Sequence, residues 1–465
     1  MSITTFQHYR TILESVIEKR PWIVAVDVLV GAGALAETLL DHGAERVLAI
    51  GASRGAGNLP SPERVSQILL DCADSPDMMT AIRTAQAALA NVGPEVQAKV
   101  DAFDPERAAR VVGAIFCNAD PVARRSIYGG RHDSWYALED KTLVDAVWDA
   151  VGIPRAPCEI VPAELESLRA AAERIGSGGE VVLVGDDRGG FNGGAQYVRW
   201  IRSERHLLEA ADFYARECDQ VRVMPFLEGI PCSVHGIVFP DYVVALRPCE
   251  MLVFRDPEAG RFVYAAAATF WEAPDAARDE MRQAAKRTGA YLRDLLGYRG
   301  VFTIDGVLTS DGFRPTELNP RFGAAINTMT RTMQDFSLYL LHLAIAEGEE
   351  LDYRPRDLER LLIEYAETHR AGFANQMTKR SIQEQVDGAL VITEDEVRHA
   401  LPGEDSDASY MLGPSPMGGF LRMTLDPERT PYGPSSAARV ARAMRFIGDQ
   451  LDLDYPPMEV ARDPS

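Results

Sequence analysis

A chain of 465 residues is too long for one ordinary hydrophobic core, so we expect two or three domains. Its 46% hydrophobic and 25% charged residues are typical of a soluble globular protein. With 69 acidic against 48 basic residues the formal charge is −21, which argues against nucleic acid or an anionic membrane as the main partner.

The sequence also argues against export and against zinc. It has no run of 18 or more apolar residues, and its N-terminal stretch mixes charges into an amphipathic pattern without the apolar segment of a secretion signal. We therefore expect a cytoplasmic protein. The six cysteines contain no CxxC pair and the eight histidines no HxxxH or HxH pattern, so we expect reduced thiols and no zinc site.

The first part of the chain has the pattern of a parallel α/β domain. An amphipathic helix is predicted over 4–19, and the apolar run "WIVAVDVLV" that follows suits a buried parallel strand. The segment "GAGALAETLLDHGAERVLAIGAS" indicates a glycine turn, a helix and a second strand, which together make one βαβ unit.

The glycine turn raises a rival function. Gly31 to Ala36 fit G-x-G-x-x-A between a strand and a helix, a pattern typical of dinucleotide-binding units, so an NAD(P)-dependent oxidoreductase is an alternative. However, the second strand ends in "AIGASRGAG", with no acid to hold the ribose of NAD, and Arg54 would at best suit a 2′-phosphate. We prefer a structural or substrate-holding role for this turn.

A basic and aromatic loop, "PVARRSIYGGRHDSWYALED", follows the first domain. We place a domain boundary there and expect three regions, over 1–130, 131–350 and 351–465. Four cationic side chains of the loop could bind a substrate carboxylate, and a solvated linker is an equal alternative: Arg124, Arg125, Arg131 and His132.

The rest of the chain mixes helices and strands. A helix is predicted in "DKTLVDAVWDAVG", and a small α/β segment then ends in the glycine-rich loop "DDRGGFNGGAQ". Strands dominate from about 220, where Arg247 and Glu250 are candidates for an internal pair. A helix over about 274–296 precedes two further strands, and Gly403 to Gly419 is predicted to be a surface loop.

The sequence "TSDG" between two alternating apolar runs predicts a β-hairpin. A three-residue loop would make Thr309 face Phe313 and would place Asp305 directly opposite Glu317. A two-residue loop would displace the two carboxylates by one position and send them to opposite faces. Asn319 shares the face of Glu317 because side chains alternate along a strand.

That face indicates a metal site. Two facing carboxylates repel each other unless a cation lies between them, and three hard oxygen donors suit Mg²⁺. Asp305, Glu317 and Asn319 are therefore candidate ligands, and Arg321 just beyond them would hold phosphate oxygens. The alternative is a solvated hairpin whose surface acids align by chance.

These residues also resemble the ATP-grasp ligase superfamily. There an acid on one late strand and an E-x-N-P-R run on the next hold the magnesium ions and the transferring phosphate, and Asp305 and the run from Glu317 to Arg321 match position by position. The resemblance covers residues 136–335 well and residues 1–130 loosely. Within the superfamily it is nearest to actinobacterial peptide-bond-forming ligases.

The resemblance implies an α/β and α+β multidomain fold. A Rossmann-like pre-ATP-grasp domain would come first (1–130), then the ATP-grasp domain (131–350), then a C-terminal α/β region that completes or caps the active site (351–465).

The resemblance also implies an ATP site with Mg²⁺, for which Mn²⁺ could substitute. Lys141 would reach an ATP phosphate, and Phe226 and Leu227 would pack against the base. Arg321, Glu317 and Asn319 would be the catalytic residues. Backbone N–H groups of the glycine-rich loop would cover the phosphates: Gly189, Gly190, Gly193 and Gly194.

Two positions depart from the family's pattern. The lysine that often ends the strand before the glycine-rich loop is replaced at Val184 or Gly185, and Arg188 is a candidate substitute. The acid that often contacts the ribose falls near Pro231, with Glu228 as a candidate replacement. A nucleotide-binding homologue without turnover is therefore a further alternative.

The resemblance implies an ATP-dependent ligase. It would activate a substrate carboxylate as an acyl phosphate and join it to an amine, giving an amide or peptide bond, ADP and phosphate. The partners would be small carboxylate and amine substrates, such as amino acids or peptides, and a homodimer is expected by analogy with the family.

Overall fold

Four β-sheets form the framework of the computed structural model, which describes residues 3–70, 72–113, 120–188, 190, 193–333 and 336–463. Among these residues, no helix is both long and apolar enough to span a membrane. Among the described cysteines, Cys158, Cys218, Cys232 and Cys249 are free thiols.

The first region holds a parallel sheet of strand order β3-β2-β1-β4. Its central strands are buried because they consist of nearly continuous apolar residues, as a sheet covered on both faces requires. The predicted βαβ unit is confirmed, since β1 and β2 pair in parallel on either side of α2. The elements are α1 (Gln7–Ile17), β1 (Pro21–Val28), α2 (Ala32–Asp41), β2 (Arg46–Ser53), β3 (Val65–Leu69), α3 (Met78–Ala90), α4 (Pro94–Phe103) and β4 (Arg110–Gly113).

The second region holds a small antiparallel sheet of order β5-β8-β6-β7. Alternation along β6 gives its two faces different neighbours, because Leu183 packs with α7 and α8 while Val182 and Val184 pack with Trp200 and Met224 on the other face. The elements are α5 (Asp133–Tyr136), α6 (Val144–Val151), β5 (Glu159–Pro162), α7 (Leu165–Gly176), β6 (Val181–Gly185), β7 (Val198–Ile201), α8 (Glu204–Glu217) and β8 (Gln220–Pro225).

The third region holds a sheet of order β12-β11-β9-β13-β14, with β10 paired to β9. Helix α9 covers one face with apolar side chains such as Met281 and Leu292, and the opposite face carries polar residues of β9 and β13, including Ser233 and Asp305. The elements are β9 (Ile230–Val238), β10 (Val243–Ala245), β11 (Cys249–Asp256), β12 (Arg261–Ala268), α9 (Asp275–Leu296), β13 (Gly300–Thr309) and β14 (Gly312–Asn319).

The last region adds helices and an antiparallel sheet of order β15-β19-β18-β16-β17. The predicted surface loop over Gly403 to Gly419 is wrong, since β18 lies within it and pairs with β16 and β19. The elements are α10 (Ala324–Thr330), α11 (Leu338–Glu347), α12 (Pro355–Thr368), β15 (Phe373–Thr378), β16 (Val386–Ile392), β17 (Val397–His399), β18 (Ala408–Ser415), β19 (Gly418–Leu425) and α13 (Ala437–Leu451).

Two cores connect these regions. Leu341 of α11 and Leu358 of α12 pack in the same core as Leu13 of α1, so the two helices that flank position 350 both join the first region. Phe254 of β11 packs in one core with Leu421 of β19 and Met444 of α13. The domain limits at 130 and 350 stay an interpretation.

Candidate active site

Asp305 and Glu317 face each other across the β13–β14 hairpin. The predicted pairing is confirmed, but the predicted three-residue loop is wrong, since Thr309 pairs with Gly312 and the turn has two residues. Thr316 has no partner in the register and forms a β-bulge, which moves the pairing by one position. The bulge therefore returns the two carboxylates to the same face.

A residue that the sequence analysis did not single out supports this bulge. Arg222 of β8 donates from Nη1 to the carbonyl oxygen of Thr316 (3.2 Å), and Thr316 Oγ1 donates to the carbonyl oxygen of Asp305 (3.2 Å). The guanidinium is also held by both carboxylate oxygens of Asp145, each at 2.7 Å. Arg222 is the register partner of Val184, the position where the family's pattern has a lysine.

The predicted polar residues meet at the hairpin in two adjacent groups of polar contacts. Asn319 Nδ2 donates to Asp305 Oδ2 (2.9 Å), and Arg321 Nη2 donates to Asn319 Oδ1 (2.9 Å). Lys141 Nζ lies 3.2 Å from Glu317 Oε1. The five residues come from three segments far apart in the sequence, and the fold brings them together.

Burial and charge make the carboxylate pair sensitive to protons and cations. Burial, with the nearby negative charge of Glu317, raises the pKa of Asp305 from 3.8 to about 7. Ser233 Oγ donates to Asp305 Oδ1 and partly opposes this rise. A divalent cation between the two carboxylates would favour their charged forms.

The oxygen donors of Asp305, Glu317 and Asn319 suit Mg²⁺, which usually keeps water or phosphate ligands, better than they suit a metal that is bound by protein side chains alone. In the part of the chain that the structure describes, no group of three or more His, Cys, Asp or Glu side chains is placed to bind a metal ion. Two carboxylates and one amide leave coordination positions for phosphate oxygens and water, which Mg²⁺ usually keeps.

A cleft of about 890 Å³ begins at these polar contacts. Lys141, Arg222 and Glu317 line its polar end, and side chains of the second and third regions line the remainder. Its apolar wall includes Val182, Val184, Met224, Phe226, Leu227, Met251, Val253 and Phe262.

The apolar wall includes parallel aromatic rings. Phe226 stacks on Trp200 with ring centroids 4.8 Å apart and lies parallel to Phe262 at 6.5 Å. A flat apolar wall beside a charged end suits a molecule with an aromatic base and a phosphate chain.

Comparison with known proteins identifies the fold. No family model matches the sequence, and no curated protein matches it. Biotin carboxylase of Campylobacter jejuni, solved as a β-γ-ATP complex, is 13% identical with a TM-score of 0.53, covering 96% of this chain and 94% of that one. The chain has the ATP-grasp fold.

Two further solved structures share it. The biotin carboxylase domain of Hydrogenobacter thermophilus 2-oxoglutarate carboxylase, a dimer with MgADP, ADP and bicarbonate, is 13% identical with a TM-score of 0.51 and covers 93% of this chain and 89% of that one. The purK N5-carboxyaminoimidazole ribonucleotide synthetase in its ADP complex is 12% identical with a TM-score of 0.50 and covers 94% and 98%. The predicted fold class is confirmed, and the narrower resemblance to actinobacterial peptide ligases stays a prediction.

The two candidate replacements, Arg188 for the phosphate-binding lysine and Glu228 for the ribose-binding acid, each bond to another residue of the chain. Arg188 donates to Asp219 Oδ1 (2.8 Å) on the surface and is not among the residues that line the cleft. Glu228 is held by Arg255 (3.0 Å to Nη1) and accepts from the backbone N–H of Arg462 (3.0 Å), so it borders the cleft through Arg255. Their roles with phosphate and ribose stay predictions.

The glycine-rich loop lies between β6 and β7. Gly190 and Gly194 have φ values of +87° and +59°, a conformation that favours glycine, while Gly189 lies outside the described residues. A Cβ at Gly194 would lie 2.4 Å from the methyl group of Met78 in α3, so the loop packs closely against the first region. Gly193 accepts a backbone hydrogen bond from Gln196 (3.1 Å).

Glu139 is a site residue that sequence reasoning missed. Its Oε1 accepts from Arg321 Nε (3.0 Å) and also from Arg131 Nη1, so one buried carboxylate holds two arginines. Burial raises the pKa of Glu139, but Arg321 and Arg131 outweigh it and hold the pKa below its usual range. No motif marks this residue, because its partners lie 8 and 182 positions away.

The four cations of the basic loop separate into different roles. Arg125 is buried in an ion pair with Asp104 (3.0 Å), which is a structural role, whereas Arg124 and His132 are exposed. Of the four, only Arg131 is both buried and linked to Arg321, because Glu139 accepts a hydrogen bond from each of these two arginines.

Two other pairings need correction or comment. Arg247 and Glu250 do not pair, because Arg247 bonds to Glu272 while Glu250 accepts from Ser435 and from the N–H of Ser436 (2.9 Å). Arg54, the candidate for a 2′-phosphate, directly follows β2 and donates to the carbonyl oxygen of Gly55 (3.0 Å).

Proposed function

We propose that this chain is an ATP-dependent carboxylate–amine ligase. The observation that carries the proposal is Asp305 facing Glu317 at the polar end of a cleft whose other end is flat and apolar. Solved structures of the same fold support ATP use, since they are complexes with ADP, with MgADP and bicarbonate, and with β-γ-ATP.

Each polar residue has a role in this proposal. Asp305, Glu317 and Asn319 would hold Mg²⁺, or Mn²⁺ in its place, and the bound ion would neutralise charge on the β- and γ-phosphates. Lys141 would bind a phosphate oxygen at the mouth of the cleft. Arg321, oriented by Glu139 and Asn319, would face the transferring phosphoryl group.

The reaction has two steps. A carboxylate oxygen of the acid attacks the γ-phosphorus and the bond to the β-phosphate oxygen breaks, which gives an acyl phosphate and ADP. The amine then attacks the acyl carbon, phosphate leaves, and the nitrogen loses a proton as the amide forms. Such catalysis needs positioning and charge neutralisation rather than a nucleophilic side chain.

Phe226 and Leu227 would pack against the base, and the glycine-rich loop would cover the phosphates and exclude water from the acyl phosphate. The substrates in this proposal are small molecules. We also propose a cytoplasmic homodimer, since one solved structure of the same fold is a dimer.

The first experiment is a thermal shift of the wild-type protein with Mg-ATP, Mg-ADP, NADH and NADPH in separate wells. A ligand at about 100 times its Kd adds roughly 2.7 kcal/mol to the free energy of unfolding, which is easily seen. Stabilisation by the two magnesium nucleotides, lost with EDTA, is the expected result. Stabilisation by NADPH alone would instead support the oxidoreductase.

The second experiment is ADP release with a panel of acids and amines, using Glu317→Gln and a matched control in the same hairpin, Asp311→Asn in the exposed turn. We expect no turnover in E317Q and wild-type turnover in D311N. Wild-type turnover in E317Q would contradict the metal assignment. Nucleotide binding without ADP release from any acid–amine pair would favour a homologue without turnover.

A further inference from the structure

A second, smaller cavity adjoins Arg321. Its empty space, part of it open to solvent, is about 360 Å³, against about 890 Å³ for the cleft, and the two share none of their lining residues. Arg321 and Phe322 form one wall, and Arg131 with Gly129 and Gly130 forms another. Tyr339, His342 and Leu343 of α11 complete it, together with Gly113.

The position of this cavity in the fold suits a substrate site. Gly113 is the last described residue of β4, before residues 114–119, and it pairs with Ala25 of β1, so the cavity borders the parallel sheet of the first region. Tyr339 Oη donates to the carbonyl oxygen of Gly113 (2.6 Å) and ties α11 to this edge. The cavity therefore connects the first region to the arginine of the E-x-N-P-R run.

Arg131 is the unusual member of the lining. Its side chain is only 5% exposed, and its Nη1 bonds to Glu139. The Nε and Nη2 atoms are buried and have no hydrogen-bond partner among the described residues. Glu139 Oε2 is likewise buried without a partner, and the Arg131 guanidinium lies 5.0 Å from the centroid of the Tyr136 ring. Buried guanidinium nitrogens nearly always have a hydrogen-bond partner, and two unsatisfied donors beside one unsatisfied acceptor leave a donor for a ligand.

The local charge indicates the sign of that ligand. Glu139 supplies one negative charge to two guanidinium groups, Arg131 and Arg321. Arg321 is also attracted by Asp305 and Glu317, so the positive charge that is left for a ligand lies on Arg131. A buried positive charge is stabilised by an anion. The Nε and Nη2 atoms of one guanidinium form the fork that matches the two oxygens of a carboxylate.

We propose that this cavity binds the carboxylate of the acid substrate and that Arg131 is the residue that selects it. The inference rests on the proposed ligase function and adds a substrate class, namely small organic acids. Arg131 would accept the carboxylate through its two partnerless donors, with Arg321 on the side where the phosphoryl group arrives. One carboxylate oxygen keeps a lone pair for the attack on phosphorus.

The walls set the size of the acid. Phe322, Tyr339 and Leu343 close the cavity around the arginine fork. Gly129 has φ +67°, and a Cβ there would lie 2.7 Å from Leu343 Cα, so the loop and α11 are already in close contact. We therefore infer a short acid rather than a peptide as the ligand.

The test uses Arg131→Gln and Arg131→Lys, with Arg124→Gln as the matched control from the exposed part of the same loop. Each protein, saturated with Mg-ADP so that no turnover occurs, is titrated with acetate, lactate, glycine, malonate, trialanine and inorganic phosphate while its melting temperature is followed. We expect at least one of the four short acids to stabilise the wild type and R124Q. In R131Q the affinity for that acid should fall by at least about tenfold, the loss of one charge-assisted hydrogen bond.

Lysine keeps the positive charge but cannot donate two parallel hydrogen bonds as a guanidinium does. R131K should therefore remain folded and bind the acid more weakly than the wild type does. Once an acid is turned over, R131K should raise its KM and leave the KM for ATP unchanged. A merely structural role would change both or neither.

Three results would overturn the proposal: no short acid stabilises the wild type, R131Q and R131K bind the acid as the wild type does, or phosphate stabilises the protein while the acids do not. Failure of the ligase function would differ from all three: either Mg-ADP itself would stabilise none of the proteins, or Mg-ADP and the acid would bind but no acid–amine pair would release ADP.

Discussion

The ammonium group of Lys141 lies 3.2 Å from Oε1 of Glu317, so the predicted phosphate ligand and a predicted metal ligand form an ion pair. Both side chains are largely shielded from water, at 8% and 27% exposure. Lys141 therefore supplies positive charge to an acid pair that would otherwise repel itself, and its contribution to catalysis and to stability can be measured separately.

We expect Lys141→Met to lower ADP release by about 10²–10³-fold, because a preorganised charge at the transferring phosphate is lost. The measurement is steady-state turnover with the KM for Mg-ATP, and Lys99→Met, an exposed surface lysine, is the control. Unchanged turnover in K141M would remove Lys141 from the phosphate site.

Arg321→Ala should lower turnover far more than it lowers nucleotide affinity, because Arg321 lines the smaller cavity rather than the cleft. Turnover and the Kd of Mg-ADP are measured on the same preparation. Glu139→Gln should show a weaker form of the same effect, since Arg321 would lose the carboxylate that orients it. Equal losses of turnover and binding in R321A would make Arg321 a plain binding residue.

Binding of Mg-ADP should weaken as the pH falls below about 7. The pKa of Asp305 is raised to about 7 by burial and by Glu317, so below that pH the metal has to displace a proton. Affinity should fall by up to about tenfold per pH unit below the pKa. Calorimetric titration from pH 8 to pH 5.5 measures this, and a flat profile in the wild type would contradict the assignment.

Glu250 should make the protein less stable as the pH rises. Burial raises its pKa from 4.5 to about 7, although Ser435 and the N–H of Ser436 donate to its carboxylate. The folded chain therefore keeps a proton that the unfolded chain loses between pH 4.5 and 7. The group's contribution to stability is complete below pH 4.5 and is lost as the pH rises through 7.

Glu250→Gln keeps the size of the side chain and removes the group that titrates. The melting temperature of E250Q should therefore fall less than that of the wild type between pH 5 and pH 8, with Asp279→Asn as a control on the exposed surface of α9. Parallel curves for E250Q and the wild type would show that Glu250 keeps an ordinary pKa.

Local patterns in the sequence predicted much of the site. The alternation around "TSDG" predicted the hairpin, and the spacing of Glu317, Asn319 and Arg321 placed the polar residues on one strand. These features depend on residues within about ten positions of one another, where strand periodicity is informative. The apolar wall at Phe226 came from the family resemblance instead.

The parts that sequence reasoning missed depend on distant contacts. Strand β18 lies in a segment rich in Gly, Pro and Ser, and it is a strand because Tyr410 and Leu412 are buried between two partner strands. The bulge at Thr316 is supported by Arg222, which is 94 positions away. Glu139 belongs to no pattern, and only the fold shows that it joins Arg131, a candidate from the basic loop, to Arg321.

The bulge at Thr316 also bears on how this hairpin tolerates insertions and deletions during evolution. Removing Thr316 would leave Asp305 opposite Glu317 in a regular ladder, because the residue removed is the one that has no partner. Removing one other residue of β14 before Thr316 would have the same result, since Thr316 would then pair with Gly306 and the bulge would disappear. Descendants of this gene are therefore expected to tolerate the loss of one residue from this part of β14, whereas an added residue there would require a second bulge to keep the two carboxylates on one face.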